Sequence, residues 1–242
     1  MRDKIKDKEY FDEHIKRRRD LIIRGENNIN NALQNGSDLE DMEAAFILVS
    51  GIYSNLLDGL YSSGGRIEEI KEQYSKKVDY EVKTWSLEKG SGYLSLLKTI
   101  SLAVLLNAEK EEVEKIKELL LKENVKDYLI DYMMNYLDSG WEVKTDELMF
   151  QTPFSKLKKV TKCEDKKEAV DMLKNYLEKD WYKGHKSAGW YDSHNKDEKK
   201  YGKIYSGYWS YEAGAVSKIM ELEDEDMREQ QYYPYDMVHF EG

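Results

Sequence analysis

The chain is poor in the residues that cross-link or interrupt a fold. Its 242 residues include one cysteine, Cys163, and two prolines, Pro153 and Pro234. A single cysteine excludes a disulfide within the chain and favours a reducing compartment. Because proline removes a backbone donor and breaks helices, its scarcity leaves most of the sequence open to long helical segments.

The sequence has no segment typical of export or of membrane insertion. Residues 1–14 lack the apolar core of a signal peptide. The longest apolar stretch, residues 93–106, is interrupted by polar side chains and falls short of the roughly 20 residues that span a bilayer. We therefore expect a cytoplasmic protein without a membrane partner.

Basic residues are in deficit. The chain has 38 lysines and arginines against 48 aspartates and glutamates, which gives a net charge of −10. Such a protein as a whole repels nucleic acid and anionic membrane, and it attracts a basic partner. Direct binding to nucleic acid is therefore not expected.

The acidic excess is concentrated near the end of the chain. Residues 204–242 hold 2 basic and 9 acidic residues. At the centre of this segment stands the run Glu221, Glu223, Asp224, Glu225 and Asp226. On its own, such a run is either a solvated loop or a surface complementary to a basic site.

Apolar residues recur at helical rather than alternating spacing, which predicts an all-α fold. Two polar pairs, Ser37 with Glu40 and Asp165 with Glu168, have the spacing of a capping box ahead of an apolar run. Gly90-Ser91-Gly92 separates a polar helix from residues 93–106, which are apolar on nearly every side. That segment is predicted to be the central helix of a bundle.

Ser139-Gly140 is the expected boundary between two helical domains. The expected architecture is a multi-helix bundle over residues 1–140, with a second, smaller helical carboxyl-terminal domain over residues 141–242 packed against it. The hydrophobic fraction of 40% can supply the core that this architecture needs.

Residues 207–212 are predicted to begin a helix that carries an unusual carboxylate. Rows at helical spacing run along residues 208–220, and Glu212 lies in an otherwise apolar row. The small residues 213–215 would let another helix approach closely. Because a buried carboxylate without partners is costly, Glu212 requires donors. The candidates are tyrosine hydroxyls, Lys183, His194 and His239.

Two interpretations of Glu212 are open. It is either a catalytic carboxylate beside a histidine or a structural one that fastens the final loop onto the helix. A zinc site built from His185, His194 and His239 with Glu212 is a further alternative on residue types alone. Since no other recognised active-site or cofactor motif occurs, we predict no catalytic residues, no cofactor and no metal.

The carboxyl-terminal residues resemble a known family. The strings YSGYWSYEAGAV (205–216) and YYPYDMVH (232–239), preceded by WYKGH (181–185), are similar to the carboxyl-terminal domain of PoNi-type immunity proteins. Residues 61–65 and 96–106 resemble the helical amino-terminal domain of that family. The motif residues, for which we expect a structural role, are Gly207, Tyr208, Trp209, Glu212, Tyr233, Pro234, Asp236 and His239.

The resemblance implies a helical bacterial protein, encoded beside a toxin, that protects its producer by binding the toxin's DNase domain. No catalytic residues come with that family. The acidity agrees with such a partner, because a nuclease binds a polyanion and exposes a basic cleft. We therefore hypothesise that the acidic run, residues 221–226, contacts the toxin. Two alternatives are a hydrolase that uses Glu212 with His194 or His239, and a helical adaptor without a toxin.

Overall fold

The computed structural model describes residues 1–87 and 92–242, and within these ranges it contains helices and no strand. The all-α prediction is confirmed. The predicted break at Gly90-Ser91 lies outside the described residues. The α-helices are α1 (Lys8–Gln34), α2 (Glu43–Ser62), α3 (Ile67–Thr84), α4 (Tyr93–Leu105), α5 (Lys110–Lys122), α6 (Tyr128–Leu137), α7 (Phe154–Thr161), α8 (Lys166–Asn175), α9 (Tyr182–Gly184), α10 (Glu198–Tyr201), α11 (Tyr211–Met220) and α12 (Tyr235–Val238).

The described residues form two compact units that interleave along the sequence. The first unit contains residues 1–87 and 192–208, and the second contains residues 92–191 and 209–242. The expected division into residues 1–140 and 141–242 stays a prediction. The compact units do not coincide with it, because residues 92–140 group with the carboxyl-terminal residues and residues 192–208 return to the first unit.

In the first unit, α2 packs against both α1 and α3. Its side chains Val49, Leu56 and Leu57 are almost fully buried. By length and composition α2 could cross a membrane, but 56% of its most apolar window is buried inside the structure. A core helix that packs against other helices on two sides is buried to a similar extent.

Residues 192–208 are fastened to the first unit by hydrogen bonds that are distant in sequence. The Tyr10 hydroxyl donates to the carbonyl of Tyr205 over 3.1 Å, and the Ser62 hydroxyl donates to the carbonyl of Ser206 over 2.8 Å. The buried Nδ1 of His14 lies 2.9 Å from the carbonyl of Lys203. Since unpaired backbone groups are costly when buried, these contacts hold the segment in place.

In the second unit, α4 is buried on nearly every side and packs against α11, α6 and α5. Residues such as Ile100, Leu102 and Val104 have no exposed surface. The prediction of a central helix is confirmed. The apolar character around the whole circumference of α4 follows from contact with neighbours in several directions.

Of three predicted helix starts, one is confirmed and two are wrong. Asp165 caps α8 as predicted, since its carboxylate accepts from the amides of Lys167 and Glu168. The capping box at Ser37 and Glu40 is wrong, because α2 begins only at Glu43. The start at residue 207 is also wrong, because Gly207 has a φ of 117° and α11 begins at Tyr211. A left-handed residue cannot belong to a right-handed helix.

Two helical glycines should respond in opposite ways to alanine. A Cβ added to Gly214 in α11 would lie 2.6 Å from Cγ of Pro234, whereas a Cβ added to Gly51 in α2 meets nothing within 4 Å. We expect Gly214→Ala to lower the free energy of unfolding by about 1–3 kcal/mol. Gly51→Ala should raise it by about 0.5–1 kcal/mol, because alanine favours helix. Urea denaturation followed by circular dichroism measures both, and a shared sign would contradict the packing.

Candidate functional site

Glu212 lies in the first turn of α11 with 7% of its surface exposed. Its Oε1 accepts hydrogen bonds from the indole of Trp181 at 2.6 Å, the hydroxyl of Ser210 at 2.9 Å and the hydroxyl of Tyr176 at 3.3 Å. The prediction of a tyrosine hydroxyl is therefore confirmed. The indole and serine donors were missed, and no described hydrogen bond joins Lys183 or His239 to this carboxylate.

A widened helical turn aims two of these donors at Glu212. After α8 the chain continues as the π-helix Tyr176–Trp181, in which hydrogen bonds join residues five apart. Tyr176 and Trp181 have that spacing, and both are buried. Burial, followed by the neighbouring Glu212, raises the pKa of Tyr176 well above its usual value, so the hydroxyl keeps its proton and donates.

These contacts give Glu212 the environment of a structural carboxylate. Three donors converge on one of its oxygens, and Nε2 of His239 lies 2.8 Å from Oδ1 of Asp224. In the ranges 1–87 and 92–242 no group of three or more histidine, cysteine, aspartate or glutamate side chains could hold a metal ion. His185 lies 2.7 Å from the carbonyl of Trp181 through its Nδ1. The described residues therefore do not support the alternative of a zinc site.

The acidic run divides into one buried and four exposed residues. Asp224 is 1% exposed. Its Oδ2 accepts hydrogen bonds from the hydroxyls of Tyr233 and Ser217, and its Oδ1 lies 2.8 Å from Nε2 of His239. Asp224 is therefore not part of the exposed acidic surface, because its side chain fastens residues 233–239 to the end of α11. The expectation that the acidic run contacts the toxin stays a prediction.

The other four residues, Glu221, Glu223, Glu225 and Asp226, are exposed. We call them the acidic ledge. Glu221 ends α11 in the left-handed conformation, with a φ of 51° and a side chain that is 87% exposed. Leu222 and Met227 are buried between and after the ledge residues. Apolar anchors therefore alternate with carboxylates, and the loop presents its acids outward.

Two lysines approach the acidic ledge without neutralising it. Nζ of Lys166 lies 3.9 Å from a carboxylate oxygen of Glu221, and Nζ of Lys174 lies 3.6 Å from one of Asp226. Such exposed pairs are worth little because water and salt screen them. The carboxylates of the ledge therefore remain exposed to solvent.

Comparison with known families identifies the chain. Residues 2–118 match the model described as "PoNe immunity protein (PoNi), N-terminal", and residues 125–237 match "PoNe immunity proteins (PoNi), C-terminal". The chain belongs to the PoNi family. PoNi proteins are immunity proteins rather than enzymes, and they are cognate to PoNe toxins.

The fold is also seen in a solved structure. The crystal structure of protein PA2201 from Pseudomonas aeruginosa superposes with a TM-score of 0.63 and 17% identity, over 93% of the PoNi chain and 86% of that chain. At this identity the likeness concerns the fold alone. Comparison with curated proteins gives no match.

The PoNi motif residues are divided between the two units. In the first unit the Tyr208 hydroxyl lies 2.8 Å from Nδ1 of His194 and is buried. In the second unit Tyr233 and Pro234 are buried, with Pro234 against Gly214, whereas Asp236 is exposed and Trp209 is partly exposed. The motif therefore contains residues of both units, which the sequence alone did not indicate.

The end of the PoNi chain is tied to α4 through one lysine. Nζ of Lys218 donates to the carbonyls of Leu105 and Phe240, each over 3.0 Å. Burial of the ammonium group lowers the pKa of Lys218 to about 8. Lys218 therefore loses its proton at a pH far below the usual range for lysine.

This lowered pKa can be measured directly. In protein labelled with ¹³C at the lysine Cε we expect one lysine signal to titrate with a midpoint near pH 8, and this signal should be missing in Lys218→Arg. Because the folded state releases this proton before the unfolded state does, Lys218 makes stability rise as pH increases through about 8. A spectrum in which every lysine titrates near its ordinary pKa would contradict the burial.

Neighbouring aspartates of the acidic run should differ sharply in stability. Asp224→Ala leaves the Tyr233 hydroxyl and His239 without their acceptor, so the free energy of unfolding should fall by about 3 kcal/mol. Asp226→Ala, which removes an exposed carboxylate, should stay within about 0.5 kcal/mol of the parent. Thermal denaturation of the two variants under one buffer condition makes the comparison. Equal losses would show that Asp224 is not an anchor.

Proposed function

We propose that this PoNi protein binds the DNase domain of its cognate PoNe toxin in the cytoplasm and prevents the toxin from reaching DNA. The acidic ledge is the observation that carries the proposal. Four exposed carboxylates stand on one loop of a protein with a net charge of −10. A nuclease must hold a polyanion, so its DNA-binding cleft is basic and complementary to this loop.

The anchoring of the loop supports an inhibitory role. Asp224, Leu222 and Met227 are buried, so the ledge residues project from backbone that is fixed on the protein side. A surface that is ordered before it meets its partner loses less conformational entropy on binding. Carboxylates on such a surface can occupy positions that DNA phosphates would otherwise take.

Electrostatic attraction also favours rapid association with the toxin. Complementary charge raises association rates well above the value for neutral proteins, and the gain falls with ionic strength. An immunity protein has to capture its toxin before the toxin finds the chromosome. The acidic excess of the carboxyl-terminal residues suits that requirement.

The proposal is tested by expressing the toxic domain encoded next to the PoNi gene with and without this chain. Expected results are survival of the cells, co-purification of the two proteins and loss of DNA cleavage by the purified complex. Survival without a complex would refute direct blocking. A complex whose nuclease still cleaves DNA would refute inhibition. A neighbouring toxin with another activity would refute the DNase assignment.

Charge reversal tests the acidic ledge itself. The triple variant Glu223→Lys, Glu225→Lys and Asp226→Lys should lower the association rate by about tenfold or more at low salt and flatten its salt dependence. Stopped-flow binding to a catalytically inactive toxin domain measures both effects.

A matched control uses three exposed glutamates of α5 in the same unit: Glu111→Lys, Glu114→Lys and Glu118→Lys. This variant has the same net charge as the ledge variant. If the two variants slow association equally, only the total charge matters and the ledge is not a contact.

A further inference from the structure

The first unit contains a second acidic region. Residues 25–65 include six aspartates and glutamates and no lysine, arginine or histidine. One of the six, Glu26, is turned inward, because its carboxylate accepts from the hydroxyls of Tyr53 and Tyr80. Asp38, Glu40 and Asp41 are exposed at the approach to α2.

These acids stand beside Leu39 in the turn before α2, and exposed apolar side chains continue into α2 itself. Leu39 is 59% exposed, Ile47 is 52% exposed and Leu48 is 62% exposed. Single exposed apolar side chains are ordinary, but three large ones within ten residues are not scattered. Together with the acids named above, we call Leu39, Ala44, Ile47, Leu48 and Gly51 the α2 face.

Helical geometry places the four α2 residues of the α2 face on one side of the helix. Residues 44, 47, 48 and 51 have the spacing of one helical stripe. The opposite side of α2 carries Phe46, Val49 and Tyr53, which are buried. Helix α1 packs closely against α2 at Val49, because a Cβ added to Gly25 of α1 would lie 2.6 Å from Cγ2 of Val49. The α2 face is therefore not used by the packing of α1 and α3.

We propose that the α2 face is a second contact surface for the toxin. It binds a patch of the toxin in which apolar side chains are flanked by lysines and arginines. This inference rests on the proposed function and adds a binding surface to it. An apolar centre within a charged rim is the ordinary anatomy of a protein interface. Carboxylates on the rim complement a basic protein and repel both a second copy of this acidic chain and an anionic membrane.

Arginine substitutions at the apolar centre test the α2 face. Leu48→Arg and Ile47→Arg introduce a cation where the basic partner should dock, so the Kd for an inactive toxin domain should rise about tenfold or more. Leu121→Arg in α5 is the matched control, since Leu121 is 54% exposed in the other unit. Its Kd should stay within about twofold of the parent value.

Hydrogen exchange on the unaltered protein gives an answer even if the variants do not fold. Amides of residues 44–51 should exchange more slowly in the complex with the toxin domain than in the free protein. Unchanged exchange there, or arginine variants that bind as tightly as the parent, overturns the inference. If the unaltered protein does not bind the toxin domain at all, the proposed function fails instead.

Two further measurements test whether a second copy of the chain or a membrane occupies the α2 face. Light scattering that shows a dimer converted to monomers by Leu48→Arg would assign the face to a second copy of the chain. Sedimentation with phosphatidylcholine–phosphatidylglycerol vesicles that is lost in Leu48→Arg would assign it to a membrane. Either result overturns the inference, and we expect a monomer that does not sediment with vesicles.

Discussion

The carboxylate of Glu212 depends on three donors, and much of the second unit is arranged to supply them. An ionised group removed from water is tolerated only when hydrogen bonds replace its hydration. The π-helix after α8 brings in Tyr176 and Trp181, and the cap of α11 contributes Ser210. A second buried carboxylate, Asp224, repeats this solution one turn beyond the end of α11 and draws in Tyr233 and His239. The exposed acids of the ledge stand on the same loop that Asp224 fastens to the protein.

Local pattern was sufficient for the helical class of the fold and for its most buried helix. The all-round apolar character of α4 and the cap at Asp165 could be predicted because both depend on neighbours in sequence. The pair Ser37 and Glu40 has the same spacing as Asp165 and Glu168, yet it caps nothing, because Asp38 instead accepts from the amide of Asp41 in a turn. Spacing alone does not distinguish a capping box from a competing turn.

The candidate site was predictable in its residue types but not in its partners. Glu212 could be recognised as buried from its apolar row, whereas Trp181 stands 31 residues away and its donation depends on a π turn that no spacing rule revealed. All residues of the acidic run carry the same charge, so the sequence did not show that Asp224 is buried and the other four are exposed. The apolar residues Leu222 and Met227 within and after the run were the available signal, and Tyr233 was the available partner.

The interleaving of the two units has a consequence for how the chain is made. Residues 192–208 complete the first unit, so its helices α1 to α3 lack the Tyr205 and Ser206 contacts until most of the polypeptide has left the ribosome. Contacts this distant in sequence slow folding, because the ends of a long loop must meet. The order of synthesis therefore matters to this fold, because the first unit receives its last contacts only after residues 192–208 have been made.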